Sequence, residues 1–202
     1  MSVISKIELT DVVRENGVYC EFCKAWRPLN SWHCKRCNAC ILRRDHHCTF
    51  FNRCIGQANK RFYILFLAYV AISMAYAAYY NYYWVASKYE DAYGPIITIA
   101  RFMNPLLRYL TMQQRGDKEF SVAYWCLNIA FAIWAGVLFV YHFRNAVNGV
   151  TAHEANHYPE LKNNSKWKQN LVNVFGVKWY WAIVWPFCSS PLPERIKIEK
   201  ES

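Results

Sequence analysis

Acidic charge is scarce in this chain, and two long stretches carry no formal charge at all. Asp and Glu total 14 against 24 Lys and Arg, a net charge of +10. That balance turns the chain toward anionic partners: lipid headgroups, nucleic acid or a phosphate-bearing ligand. The first twenty residues, MSVISKIELTDVVRENGVYC, lack the apolar core of roughly 7–15 residues that a secretory signal needs. The chain is therefore expected in a compartment that keeps thiols reduced, which speaks against a disulfide framework. No internal repeat and no low-complexity segment is legible. Residues 20–61 are poor in aliphatic side chains, and a segment of about 40 residues needs metal or disulfides to fold.

What that segment has instead is sulfur and imidazole. Seven of the nine cysteines fall between residues 20 and 54, namely Cys20, Cys23, Cys34, Cys37, Cys40, Cys48 and Cys54. His33, His46 and His47 lie among them. Structural zinc is tetrahedral and takes four Cys or His ligands, so two ions need eight of the ten groups present. The surplus is two. If one is a Cys and the other a His, the surplus is a nucleophile and a base. Cys20/Cys23 and Cys34/Cys37 have the C-x-x-C spacing that grips a metal from a tight turn. His46, His47 and Cys48 are consecutive and cannot easily all face one ion. A cysteine beside a histidine is an activated nucleophile, and a carboxylate such as Asp45 can fix the imidazole tautomer. Spacing alone leaves open which cysteine is free. It also leaves open a zinc module with no chemistry.

The uncharged stretches are FYILFLAYVAISMAYAAYYNYYWV, residues 62–85, and FSVAYWCLNIAFAIWAGVLFVYHF, residues 120–143. A helix of 24 residues rises about 36 Å, enough for a hydrocarbon core of about 30 Å. The predicted fold class is an α-helical integral membrane protein of two spans with a small zinc-stabilised cysteine-rich domain of short strands and loops. Its expected organisation is a lead-in over 1–19, the cysteine-rich domain over 20–61, a span over 62–85, a loop over 86–119, a span over 120–143 and a tail over 144–202. Arg101 and Arg108 interrupt an apolar pattern in the loop, so an amphipathic surface helix is expected there. The apolar patch WYWAIVWPFC, residues 179–188, is too short to cross and should lie on the membrane or dock on the protein. Lys and Arg number 11 in residues 1–61, 5 in 86–119 and 8 in 144–202. The bias puts both termini in the cytosol and the middle loop on the lumenal or extracellular side.

The pattern C-x2-C-x9-H-C-x2-C-x2-C-x4-D-H-H-C-x5-C-x4-N is filled here by Cys20, Cys23, His33, Cys34, Cys37, Cys40, Asp45, His46, His47, Cys48, Cys54 and Asn59. On those positions the chain resembles the DHHC-type protein S-acyltransferases, or palmitoyltransferases. The similarity runs from about Cys20 to about Gly176. The resemblance implies one structural zinc on Cys20, Cys23, His33 and Cys40 and a second on Cys34, Cys37, His47 and Cys54. It implies Cys48 as the acyl-carrying nucleophile, His46 as general base and Asp45 as its orienting group. The family's Thr-Thr-x-Glu motif appears as TAHE, Thr151 to Glu154, where Ala152 lacks the second hydroxyl. Tyr158, Asn170 and the VFG of 174–176 resemble its C-terminal motif. Thr49-Phe50 replaces the usual Pro-Trp, and Arg53 the usual Asn.

What the resemblance implies for activity is transfer of a long-chain acyl group from acyl-CoA (palmitoyl-CoA) to Cys48, then to cysteine thiols of membrane-associated substrate proteins. The CoA phosphates would meet Arg27, Arg43 and Arg44, with Lys60 and Arg61 as further candidates or as juxtamembrane charge meeting anionic lipid. The implied setting is the bilayer of an endomembrane, Golgi or endoplasmic reticulum. Nucleic acid is not an expected partner, since the zinc spacing is not that of a C2H2 finger. Family members usually carry two spans before the cysteine-rich domain, which here begins at residue 20. With two spans instead of four, the acyl cavity would be open on one side. The chain would then be a shortened product or a fragment, or would recruit spans from another copy. A catalytically weak zinc-bearing membrane adaptor is the alternative expectation.

Overall fold

The structure, a computed structural model, describes residues 17–87, 94–104, 106, 117–162 and 166–193. Most of the lead-in, and Arg108 of the middle loop, lie outside the described residues. Two compact units are present. One comprises Met1–Leu65 and Val140–Ser202, the other Phe66–Phe139.

The first unit is built on three antiparallel hairpins. β1 (Val18–Cys20) pairs with β2 (Ala25–Arg27), β3 (Ser31–Cys34) with β4 (Ala39–Leu42), and β5 (His46–Cys48) with β6 (Arg53–Ile55). Each pair is its own two-stranded sheet. Strands of three or four residues cannot stand alone in water, so something other than the ladders must hold them.

The hairpins repeat one another at 14 residues, a repeat the sequence reading does not find. Cys20, Cys34 and Cys48 each end a first strand. Lys24, Asn38 and Asn52 each hold the left-handed turn position, with φ of 50°, 48° and 48°. His33 faces Cys40 across β3 and β4, as His47 faces Cys54 across β5 and β6. The third copy breaks the pattern. The position of Cys23 and Cys37 becomes Phe51, and those of His47 and Cys54 become Arg61 and Ala68, beyond the start of the first long helix. Cys48 therefore has the place of a ligand and no ligand set to join.

That helix, α1 (Lys60–Ser87), is launched from β6 by Asn59. Its Oδ1 accepts from the Gly56 amide at 2.8 Å and its Nδ2 donates to the Cys54 carbonyl at 3.0 Å. Gly56 is required by close approach: a Cβ there would lie 2.8 Å from Ile41 Cγ2. After α2 (Gly94–Met103) and α3 (Asp117–Val147), Gly149 turns the chain at φ 74°. The short α4 (Ala152–His157) follows, then α5 (Trp167–Phe175), which stops at Gly176, and α6 (Trp179–Val184). Ile55, Ile64, Leu65, Val150, Leu171, Val174 and Phe175 form the buried apolar core of this unit.

The second unit holds the apolar lengths of α1 and α3. Trp125 Nε1 donates to the Ala78 carbonyl at 3.0 Å, and Trp84 Nε1 to Ser121 Oγ at 3.3 Å. Ile72, Tyr76, Ile133 and Val137 stand exposed along these helices. Lys60–Ser87 and Phe120–Val147, each 28 residues, are long and apolar enough to cross a membrane, and an exposed apolar surface of this kind suits lipid. The chain is an α-helical integral membrane protein with a cysteine-rich region of short strands. The amphipathic stretch expected in the middle loop is occupied by α2, with Thr98 buried and Ile96 exposed. In the 179–188 patch Ala182 is buried, while Trp181, Trp185 and Phe187 face outward.

Candidate metal centres and active site

The turn of one hairpin and the ladder of the next meet to make each metal set. Cys20 ends β1 and Cys23 lies in the first turn, and His33 and Cys40 are cross-strand partners in the second hairpin. Cys23 Sγ lies 3.2 Å from His33 Nδ1 and 3.6 Å from Cys40 Sγ, and Cys20 Sγ 3.7 Å from the same nitrogen. The second set copies the first. Cys37 Sγ lies 3.3 Å from His47 Nδ1 and 3.7 Å from Cys54 Sγ, and Cys34 Sγ 3.6 Å from His47 Nδ1. A tetrahedron with Zn–S of about 2.3 Å and Zn–N of about 2.0 Å has edges of about 3.8 Å between sulfurs and about 3.5 Å between sulfur and nitrogen. Both sets match, and all ligand atoms in each lie within 4.8 Å of one another. All nine cysteines are free thiols. The donor sets suit zinc, which would cross-link hairpins too small to fold unaided.

Electrostatics agrees with that fit. Burial opposes ionisation of Cys20 and Cys34. Hydrogen bonds from turn amides, Cys23 for the first and Cys37 for the second, together with neighbouring thiols outweigh it and hold both below the ordinary thiol range. Burial, then hydrogen bonding with Cys20, pushes Cys40 up to about 12. Burial, then Cys34, does the same to Cys54, again to about 12. Packed thiols cannot all ionise without a cation between them, and a coordinating divalent ion deprotonates its thiols.

β5 explains the adjacent histidines. Successive side chains of a strand point to opposite faces. His47 turns toward the second metal set, so His46 and Cys48 share the other face. Cys48 is buried at 9% exposure and belongs to neither set.

Asp45, at 3% exposure, sits beneath that face with four partners. Its Oδ1 lies 2.8 Å from Lys60 Nζ and accepts from the Ala152 amide at 2.9 Å. Its Oδ2 is 3.0 Å from His46 Nδ1 and 3.2 Å from His142 Nδ1, the latter off the line of a good hydrogen bond. Burial works against the charged carboxylate, but the Lys60 ammonium and the contacts to His142 and His46 hold it well below the usual carboxylate range. The TAHE segment closes the network. Thr151 caps α4 by accepting from the Glu154 amide at 3.1 Å, and Glu154 Oε2 accepts from the Thr151 amide at 2.8 Å. Arg43 Nη2 donates to the Gly149 carbonyl at 2.7 Å and lies 3.4 Å from Glu154 Oε2.

The structure thus brings together Asp45, His46 and the eight metal-set residues as grouped from the sequence. The basic candidates are placed less uniformly. Arg27 Nη1 donates to the Ser31 carbonyl on β3. Arg43 is engaged as above, and the Arg44 guanidinium interacts with Cys54, with its Nε buried and unpaired. Lys60 is not a surface cation but is buried at 4% exposure, bonded also to the Val150 carbonyl at 3.0 Å. Arg61 donates to the Ser190 carbonyl at 2.7 Å. Ala152 has no side-chain hydroxyl to offer, and its backbone amide donates to Asp45 Oδ1, a bond that does not depend on the side chain. Asn170 Nδ2 donates to the Val147 carbonyl at 2.8 Å, tying α5 to the end of α3. His142 has no site role in the sequence reading, and Lys60 enters it only as a candidate CoA contact or a lipid-facing charge. An imidazole and an ammonium close to otherwise apolar runs were the only signals.

Over residues 13–158 the chain matches the sequence profile of the DHHC palmitoyltransferases. It is 31% identical over 190 residues to the probable palmitoyltransferase ZDHHC24 of Rattus norvegicus and to that of Homo sapiens, covering 89% of this chain and 62% of each relative. Palmitoyltransferase PFA3 of Candida albicans is 50% identical over 54 residues, 27% of this chain and 14% of that protein. The chain therefore spans less than two thirds of the length of the ZDHHC24 relatives. With the matched region containing both metal sets and the Asp-His-His-Cys run, the chain belongs to the DHHC palmitoyltransferase family.

Proposed function

We propose that the chain is a protein S-acyltransferase working by two successive thioester exchanges at Cys48. In the first, His46 takes the Cys48 proton and the thiolate attacks the thioester carbonyl of a long-chain acyl-CoA. The new C–S bond forms as the bond to CoA breaks, and CoA leaves with the proton. In the second, a substrate cysteine gives its proton to His46 and attacks the acyl-enzyme, and Cys48 departs as the free thiol with that proton. Two half-reactions of this kind give ping-pong kinetics. Asp45 holds His46 through Nδ1, which leaves Nε2 for the proton. Zinc held by Cys20, Cys23, His33 and Cys40 and by Cys34, Cys37, His47 and Cys54 would supply folding energy to the hairpins that carry the site.

The observation that carries this reading is the pairing of Asp45 Oδ2 with His46 Nδ1 at 3.0 Å, on a strand whose next residue turns away to the metal and whose next but one is the spare thiol. Substrate proteins would present cytosolic cysteines at the membrane surface, both termini would be cytosolic, and the setting would be an endomembrane. For the CoA phosphates, Arg27 is the strongest of the three arginines. Its bond is to a backbone carbonyl, whereas Arg43 is paired with Glu154 and Arg44 lies against Cys54.

The test is to incubate zinc-complete chain with labelled palmitoyl-CoA. Hydroxylamine-sensitive label on Cys48 is the expected result. A folded chain with both zinc ions that never takes label would refute the enzyme reading in favour of a membrane adaptor.

A further inference from the structure

Three of the four groups on Asp45 have an evident purpose. Lys60 balances its charge, Ala152 fixes it to α4, and His46 is oriented by it. The fourth, His142, lies in α3 at 4% exposure. Its Nδ1 is 3.2 Å from Asp45 Oδ2, the oxygen that also meets His46. Its ring centroid is 5.3 Å from that of His46 and 5.0 Å from that of Tyr63, and Tyr63 stands 5.1 Å from His46. The three rings, the proposed base among them, stand at the corners of a triangle.

A buried imidazole needs a polar reason, because a phenyl ring would fill the space without a polar atom to satisfy. Metal binding is not that reason. Although Asp45, His46 and His142 could form a ligand group, the Lys60 ammonium at 2.8 Å already supplies the positive charge. Lys60 with Asp45 and Arg43 with Glu154 leave the local charge balanced, so His142 is not called on as a counter-ion.

We propose that His142 is a positioning residue for the His46 base: it shares Asp45 Oδ2 with His46 and, with Tyr63, walls the His46 ring in place. The inference deepens the acyltransferase reading and rests on it. A carboxylate oxygen has two acceptor sites. His46 takes one, and the His142 ring stands with Nδ1 3.2 Å from the same oxygen, off the line of a good hydrogen bond, so the carboxylate has no room to rotate and His46 Nδ1 has one place to bond. Nε2 is then presented on the face of β5 that carries Cys48.

The experiment compares the whole 202-residue, zinc-loaded wild-type chain with His142→Phe, His142→Asn and His142→Gln. Two rates are read: labelling by palmitoyl-CoA, and alkylation of Cys48 by iodoacetamide followed by peptide mass spectrometry. Phe keeps the ring and removes Nδ1. Asn places an N–H near the position of Nδ1, and Gln places it farther out. The expected result is a fall of roughly 10-fold or more in both rates for Phe, at unchanged KM for palmitoyl-CoA, with Asn restoring most of the loss. Should the Phe variant not fold, Asn is expected to react faster than Gln. A residue that only packs gives the opposite ranking, with Phe tolerated and Asn impaired. That ranking, or equal rates in all variants, overturns the inference. Wild type that is alkylated but takes no acyl label refutes the acyltransferase reading instead, and the alkylation ranking still decides the role of His142.

Discussion

The backbone amide of Ala152 donates to Asp45 Oδ1 at 2.9 Å, so the TAHE segment reaches the Asp-His pair through the main chain. The side chain at 152 is then nearly irrelevant to that bond, and Ala152→Thr should change stability little. Ala152→Pro is the informative change. Residue 152 is the first of α4, where proline suits a helix, and Thr151 before it is extended at φ −87° and ψ 166°, as a residue preceding proline must be. The substitution removes only the N–H. It should destabilise the zinc-loaded chain by about 1–3 kcal/mol, the cost of leaving a buried acceptor short of a donor. A melting temperature equal to wild type would show that the bond does not matter.

Neighbouring histidines should fail in different ways. His47→Ala should lose zinc and unfold the hairpins, because metal binding there is folding energy. His46→Ala should keep both zinc ions and slow acylation roughly 100-fold or more, the scale of losing a positioned base. Cys48→Ser should keep zinc and take no label, since its hydroxyl supplies almost no nucleophile at neutral pH. Metal analysis on each purified variant, beside the labelling assay, checks all three. Zinc loss in His46→Ala would refute the strand alternation assigned to β5.

The motif was legible because eight of its twelve positions are metal-set residues placed by turns and cross-strand pairs, which fix sequence spacing. The 14-residue repeat was not, because the copies share ligands and turn conformations and little else. Phe51, in the place of Cys23 and Cys37, hides the third copy. Lys60 was misread for a physical reason: a lysine at the head of a span has the same local sequence whether it meets lipid phosphate or a buried Asp45. His142 is far from residue 45 in the chain, and no local pattern links an imidazole near the end of one helix to a carboxylate between two hairpins. The contribution of Ala152 was invisible because a backbone amide has no residue identity.

Zinc binding should release protons and weaken as pH falls. Cys40 and Cys54, pushed up to about 12 without metal, are protonated at neutral pH, and zinc must displace those protons. Raising the proton concentration therefore opposes binding. Calorimetric zinc titrations in two buffers of different ionisation enthalpy should show net proton release, and the apparent affinity should drop between pH 8 and pH 6. Binding that is independent of pH over that window would mean the thiols were already ionised.

Membrane orientation is open to a direct check. By the 11, 5 and 8 division of basic residues, residues 86–95 are expected away from the cytosol and 190–202 within it. A glycosylation acceptor engineered into the first range should be modified in microsomes and one in the second should not. The reverse pattern would invert the topology.

The last prediction concerns the charge pair beneath the site. Lys60 and Asp45 are both buried, 2.8 Å apart, so removing one partner strands the other in a poorly hydrated place. Lys60→Met, which nearly keeps the side-chain volume, should cost about 3–5 kcal/mol, as for other broken buried pairs. Adding Asp45→Asn should recover much of that loss, because the stranded charge is gone and the amide oxygen can still accept from Ala152. The double variant should hold zinc and fold, yet acylate slowly, since His46 has lost the carboxylate that orients it. Melting in zinc-containing detergent, followed by labelling of each variant, separates the two effects. A Lys60→Met chain as stable as wild type would place Lys60 outside the network, and a double variant no more stable than the single would show that the charge on Asp45 is not what Lys60 compensates.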